Sequence, residues 1–313
     1  LGAPSSPFPL PASLRLRAIV ITRPGTAEVL ELRDVPRPVP GHSQVLVRVH
    51  ATALNRADIL QREGRYPAPP DAPADIPGLE FAGEVAAVGP GVRDWHTGQP
   101  VFGLVGGGSY AEYVLTHERL LVALPRGFEW TDAAAIPEAF ITAHDALVSQ
   151  AALHPGERVL VNAAGSGVGL AAVQLVRAMG AVPFGSARHE SKIDAARAVG
   201  LEAGIVCGPD LAPLVAQARE WTGGRGMDVA LDLLGGPYTA ASVEALGVHG
   251  RLILIGTLAG REATIPLGRV LASRLTIRGT VLRGRALEDK IVATRAFAHQ
   301  VVPLFELGTL RPV

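Results

Sequence analysis

The chain reads as an α/β protein in two parts, a β-rich domain followed by a doubly wound parallel sheet. Three observations predict this. From Arg17 to about Pro137, short β-branched runs are broken by Gly and Pro; from Ile141 to about Arg285, apolar strands alternate with helical segments; and inside that second stretch, Glu157 to Gly180 runs as apolar strand, glycine-rich turn and apolar helix.

The first 14 residues, with Pro at 4, 7, 9 and 11, are too proline-rich for the core of a signal peptide and read as an extended leader. Residues 15–138 follow as the β-rich domain. Its strands are expected at Ala18–Thr22, Val45–His50, Phe81–Val88 and Tyr110–Leu115, a barrel-like arrangement. Residues 139–285 form the second domain, with strands at Ala181–Gly185, Ala203–Val206, Val229–Asp232, Leu252–Ile255 and Leu275–Thr280 after the one that opens the glycine turn. Its inner strands are apolar throughout, as befits strands covered by helices on both faces. A helical stretch from Leu287 to about Phe305 lies in a return segment, 286–313, directed towards the first domain. Ligand is expected in a crevice at the carboxyl ends of the parallel strands, facing that domain.

Gly165, Gly167 and Gly169 stand at alternate positions in the turn. Such a turn brings backbone close to a pyrophosphate and leaves its charge at the positive end of the next helix, so a dinucleotide is the expected ligand. A structural loop of some other parallel-sheet protein is the alternative. An acidic side chain at the end of the following strand would bind a free ribose 2′-hydroxyl, but the chain there reads Gly185-Ser186-Ala187-Arg188-His189-Glu190-Ser191-Lys192. Hydroxyl, guanidinium and ammonium suit a 2′-phosphate, which favours NADP(H). Lys192 reads equally well as a solvated surface charge.

Lys and Arg balance Asp and Glu at 29 each, so no global field favours nucleic acid or an anionic membrane surface. One cysteine, Cys207, excludes an intrachain disulfide framework and a cysteine-rich zinc site; in its apolar strand it reads as a buried hydrophobe. No apolar run approaches the roughly 18 residues of a membrane span. A soluble, cytoplasmic protein is expected.

Four segments carry a family resemblance: Asn55-Arg-Ala-Asp58-Ile-Leu-Gln-Arg-Glu-Gly64-Arg-Tyr66, Gly106-Gly-Gly-Ser-Tyr-Ala-Glu-Tyr113, Ile136-Pro-Glu-Ala-Phe-Ile-Thr142-Ala143 and Thr222-Gly-Gly-Arg-Gly-Met-Asp-Val229. From Arg17 to Val313 the chain resembles the medium-chain dehydrogenase/reductase superfamily, and these segments look like its zinc-free quinone oxidoreductases. The resemblance implies a GroES-like catalytic domain ahead of a Rossmann-type domain, and NADPH-dependent hydride transfer to a quinone. Zinc alcohol dehydrogenases of the superfamily carry a cysteine three residues before an aspartate and a histidine just before a glutamate. Here Asn55 precedes Asp58 and Leu79 precedes Glu80, and neither amide nor alkyl group anchors zinc.

By the same resemblance, Tyr66 and Asn55 lie beside nicotinamide and substrate. Tyr66 either donates a hydrogen bond to a developing oxyanion or only stacks as a pocket wall. Thr142 bonds near the nicotinamide or caps and packs its helix. Ala163, Ser166, Gly167, Val168 and Gly169 align with the family's phosphate turn; Ser186, Arg188 and Lys192 face the 2′-phosphate; Gly256, Leu258 and Leu282 pass the nicotinamide. Family members continue beyond the position of Val313 with a strand and helix, so the return segment reads as incomplete, and relatives form homodimers. Two alternatives stand beside quinone reduction: reduction of an enone or enoyl double bond, and a non-catalytic, crystallin-like nucleotide binder.

Overall fold

Val45 and Val47, Phe81 and Val85, with Val101, Val114 and Leu121, project to one side of an antiparallel sheet and form a closed apolar cluster. The structure, a computed structural model, describes residues 15–313, and the expected leader lies outside them. These residues divide into two compact units: one holds the described residues up to Glu138 together with Ala286–Arg295, the other Ala139–Arg285 with Ala296–Val313.

In the first unit, strands β1 (Arg15–Ile21) and β2 (Leu30–Pro36) form a hairpin. A five-stranded antiparallel sheet is built from β3 (Gln44–Ala51), β4 (Glu80–Val88), β5 (Pro100–Leu104), β6 (Tyr113–His117) and β7 (Leu121–Ala123), in the order β6-β3-β4-β5-β7. Helix α1 (Arg56–Arg62) leaves the end of β3 and α2 (Trp130–Ala134) follows β7. The strands expected near Ala18, Val45, Phe81 and Tyr110 are present; the last begins later, at Tyr113.

The second unit opens with α3 (Thr142–His144), flanked by wider π turns at Pro137–Ile141 and Asp145–Gln150. Then β8 (Arg158–Asn162), α4 (Gly167–Ala178), β9 (Val182–Ala187), α5 (Glu190–Arg197), β10 (Ala203–Val206), α6 (Ala212–Trp221), β11 (Met227–Asp232), α7 (Pro237–Ala245), β12 (Leu246–Leu254), α8 (Leu267–Ser273) and β13 (Thr276–Gly279) alternate. All six strands are parallel, in the order β10-β9-β8-β11-β12-β13. The chain starts in the middle at β8, winds outward to β10, then returns to β11 and winds the other way. That reversal, between β8 and β11, is where an open parallel sheet leaves room for a ligand at its carboxyl edge. Leu160, Met227, Ala230, Leu246 and Leu252 fill the interior on one side of the sheet. Cys207 is buried with the apolar residues, and burial pushes its thiol pKa up. Helices α9 (Leu287–Gln300) and α10 (Val302–Glu306) end the chain.

Candidate cofactor and substrate sites

The turn after β8 lies at the switch point. Ser166 caps α4: its Oγ accepts from the Gly169 N–H at 3.1 Å and donates to the Ala163 carbonyl at 2.8 Å. The cap meets one of the helix's unpaired amides, and those of Gly167 and Val168 have no acceptor within the helix, the arrangement that receives an anion. The glycines serve different ends. A Cβ on Gly169 would lie 2.3 Å from the Ala163 carbonyl oxygen and one on Gly165 would lie 2.6 Å from Lys192 Cβ, whereas one on Gly167 would meet nothing within 4 Å. Two glycines let backbone meet backbone and the third leaves open space above the helix end. The left-handed residue is Ala163, at φ 57°, a strained position for a residue with a Cβ.

Beyond β9, Arg188 and Lys192 are exposed. Ser186 is not: it lies inside the strand, fully buried, and donates to Asn162 Oδ1 at 2.8 Å while Asn162 Nδ2 donates to Ser242 Oγ at 2.9 Å. The strand runs two residues past its expected end, which turns this hydroxyl into the sheet, away from any surface a phosphate reaches.

The loops after β11 and β12 meet. Buried Asp232 accepts from the N–H groups of Leu234 and Gly235, both at 2.9 Å, and from Thr239 Oγ1 at 2.7 Å. Ala259 N–H donates to the Leu234 carbonyl at 2.6 Å, and a Cβ on Gly256 would lie 2.5 Å from the Leu233 carbonyl oxygen. Gly256 thus sits against this loop, Leu258 is exposed beyond it, and Leu282 is buried after β13. Thr142 is half-buried on α3.

In the first unit, Asn55 precedes α1 and its Nδ2 donates to Glu80 Oε1 at 2.6 Å. Glu80 Oε2 accepts from the Glu138 N–H at 2.8 Å. The carboxyl is 2 % exposed, and burial pushes its pKa up to about 8 against the pull of these two hydrogen bonds. Asp58 accepts from the Gly78 N–H at 3.0 Å, the Asn55 N–H at 2.8 Å and the Tyr110 hydroxyl at 3.0 Å. Burial, then the Asp58 charge, pushes the Tyr110 pKa up. Tyr66, half-buried, closes the turn after α1 through its N–H to the Leu60 carbonyl at 3.1 Å.

Residues 41–126 match the alcohol dehydrogenase GroES-like domain, and residues 167–296 match the zinc-binding dehydrogenase family. A solved NAD-dependent alcohol dehydrogenase is 33% identical, with a TM-score of 0.82, over 95% of this chain and 91% of its own. This chain belongs to the medium-chain dehydrogenase/reductase superfamily. It joins an alcohol dehydrogenase GroES-like domain to a six-stranded parallel sheet of Rossmann type. Other relatives of the superfamily member differ in their chemistry. A quinone oxidoreductase of Pseudomonas syringae is 27% identical with a TM-score of 0.82, covering 95% of this chain and 90% of its own. The JamJ enoyl reductase is 25% identical with a TM-score of 0.83, covering 96% and 90%. Among curated proteins, the pikromycin polyketide synthase component PikAII of Streptomyces venezuelae is 37% identical over 289 residues, and a mycocerosic acid synthase-like polyketide synthase of Mycobacterium tuberculosis 35% identical over 245. These matches cover 92% and 78% of this chain, which spans only 7% and 11% of the two polyketide synthases.

The zinc in the family's printed name does not fit the residues here. Among the described residues no group of three or more His, Cys, Asp or Glu side chains is placed to hold a metal. Both Glu80 oxygens and both Asp58 oxygens already accept hydrogen bonds, and Asn55 turns its NH2 to Glu80. No described helix is long and apolar enough to cross a membrane.

Sequence reasoning missed Tyr110 and Asp232. Asp232 carried a signal, an acid just before Leu-Leu-Gly-Gly where a side chain takes turn amides. Tyr110 carried none, since its partner Asp58 lies 52 residues away.

Proposed function

We propose that this chain is an NADPH-dependent, metal-independent enoyl reductase that saturates the double bond of an acyl thioester, as a segment of a polyketide-synthase-type chain. The observation that carries the reading is the 37% identity to a polyketide synthase component across 92% of the chain. Likeness to the JamJ and CurK enoyl reductases, at TM-scores of 0.83 and 0.80, supports it. An enoyl thioester is already electron-poor and needs positioning more than a Lewis acid, which is compatible with a chain whose described residues place no cluster to hold a metal.

When bound, NADPH would supply a hydride for the substrate's β-carbon, and solvent would supply the proton that completes the saturated product at the α-carbon. The Gly167 and Val168 amides, with the positive end of α4, hold the pyrophosphate. Ala163 and Gly169 shape that turn, and Ser166 caps it. Arg188 takes the 2′-phosphate with help from Lys192, and Ser186 supports the strand from below. Thr142, Gly256, Leu258 and Leu282 flank the nicotinamide. In the first unit Tyr66 donates to the thioester oxygen as charge builds there, and Asn55, held by Glu80, lines the substrate position.

A second reading, NADPH-dependent quinone reduction, is favoured by the likeness to the Pseudomonas syringae quinone oxidoreductase. It uses the same hydride geometry without protonation at carbon. The test is NADPH oxidation by the purified, metal-free protein with a crotonyl thioester and with a 1,4-quinone, repeated with Tyr66→Phe. Turnover of the thioester at a rate that falls about 10-fold or more in Tyr66→Phe is expected. Turnover of the quinone alone transfers the assignment to the second reading, and cofactor binding without either turnover leaves a nucleotide-binding role.

A further inference from the structure

Two of the proposed nicotinamide contacts, Thr142 and Leu282, lie on separate segments of the second unit, and one buried ion pair joins those segments. Asp145 stands three residues after Thr142, one helical turn along the same helix. Its carboxylate, 2 % exposed, takes both terminal nitrogens of Arg285: Oδ1 from Nη1 at 3.0 Å and Oδ2 from Nη2 at 2.6 Å. Thr280 Oγ1 donates to Oδ2 at 3.1 Å and accepts from Arg285 Nη2 at 2.5 Å. Gln150 Nε2 approaches both oxygens at 3.3 and 3.4 Å, and Arg278 Nη1 donates to the Gln150 carbonyl at 3.3 Å.

Thr280 and Arg285 are the two ends of the loop that follows β13 at the carboxyl edge of the sheet, and both close on one carboxylate. Between them Leu282 and Arg283 are buried while Val281 and Gly284 are exposed. Burial pushes the Asp145 pKa up, but the Arg285 hydrogen bonds and charge outweigh it and hold the group ionised, below its ordinary value. A buried ion pair contributes little net stability compared with a well-packed apolar pair, so its better-supported use is to specify one arrangement of the parts it joins.

We propose that Asp145 and Arg285 are positioning residues that fix the 280–285 loop against the Thr142 helix and so set the angle at which the nicotinamide presents its hydride. The inference rests on the cofactor placement proposed above and deepens it. Neither side chain touches the reacting atoms. The pair acts on hydride transfer and not on the adenosine end of the cofactor, which is held by elements after β8 and β9.

The test compares wild type, Asp145→Asn and Thr280→Val in three measurements: affinity for 2′,5′-ADP, affinity for NADPH, and single-turnover hydride transfer from C4-deuterated NADPH to whichever of a crotonyl thioester or a 1,4-quinone the wild type reduces. Asp145→Asn is expected to slow hydride transfer about 10- to 100-fold, the scale of an ångström-sized misplacement, with 2′,5′-ADP affinity unchanged within about 2-fold. Thr280→Val removes one hydroxyl from the cluster, keeps the ion pair and serves if Asp145→Asn does not fold; its transfer rate falls by a smaller factor at equal 2′,5′-ADP affinity. Arg285→Lys, which keeps the charge but not the two-nitrogen fork, falls between wild type and Asp145→Asn. Hydride transfer within about 2-fold of wild type in the folded variants, or a loss matched by an equal loss of 2′,5′-ADP affinity, overturns the proposal. A wild type that transfers hydride to neither acceptor overturns the functional reading and this inference with it; an active wild type with indifferent variants overturns this inference alone.

Discussion

Gly167 and Gly169, two residues apart in the same turn, are expected to respond oppositely to alanine. A methyl on Gly169 would lie 2.3 Å from the Ala163 carbonyl oxygen and 2.7 Å from that of Ala164, against a normal carbon–oxygen contact of about 3.3 Å. Backbone must therefore shift by about 1 Å, and both atoms it strikes are main chain, so no rotamer change relieves the clash. Forcing such a group into a packed site costs about 1 to 3 kcal/mol, or about 2 to 4 °C of melting temperature per kcal/mol in a domain of this size. A methyl on Gly167 meets nothing within 4 Å. There the folded chain gains about 0.4 to 1 kcal/mol from a less flexible unfolded state and a better helix former. The open space it fills is where the proposed pyrophosphate approaches. Gly167→Ala should therefore melt at or slightly above wild type yet bind NADPH at least about 10-fold more weakly, about 1.4 kcal/mol, whereas Gly169→Ala should lose stability and affinity together. Differential scanning fluorimetry and a nicotinamide fluorescence titration read both. Wild-type affinity in Gly167→Ala, or an unchanged melting temperature in Gly169→Ala, would refute the reasoning.

Ala163→Gly relieves a left-handed alanine and should raise unfolding free energy by about 1 kcal/mol, seen in denaturant melts; a lower midpoint contradicts the strain. Glu80, with a pKa of about 8 against an ordinary 4.5, keeps its proton in the folded state where the unfolded chain has released it. Its stabilising contribution is full below about pH 4.5 and is lost as pH rises to about 8, on the order of 5 kcal/mol at 1.36 kcal/mol per unit. Glu80→Gln should flatten that part of the melting-temperature profile, and an unchanged slope between about pH 5 and 8 would assign it to other groups. Arg188→Ala should raise KM for NADPH about 10-fold or more and leave KM for NADH within about 2-fold, as loss of one charge-assisted phosphate contact predicts; equal effects on both would remove it from the 2′-phosphate.

The parallel sheet was legible because its inner strands, such as β8 and β11, are apolar and largely buried, and strands alternate with helices along the segment. In the first unit β2, β5 and β7 were not. Strand β2 reads Leu-Glu-Leu-Arg-Asp-Val-Pro and is exposed along most of its length, so no burial pattern marks it; β5 contains Pro and Gly; β7 is three residues long. The glycine turn was readable, yet the structure gives the left-handed position to Ala163, which no spacing rule for glycine reveals. A strand over Ala181–Gly185 leaves Ser186 just past its end, whereas the strand extends to Ala187 and buries it. Asn162, polar at the end of β8 after three apolar residues, was the signal that a polar partner lies across from it, and β8–β9 pairing sets it opposite Ser186. Asp145 and Arg285, 140 residues apart, carry no local signature of their pairing.

The most direct test of the central claim is the product of one turnover: crotonyl thioester with C4-deuterated NADPH and the purified, metal-free protein, read by mass spectrometry and NMR. The account predicts a saturated butyryl thioester carrying one deuterium at the β-carbon and a solvent proton at the α-carbon. An unreduced crotonyl thioester beside rapid reduction of a quinone under the same conditions would contradict it.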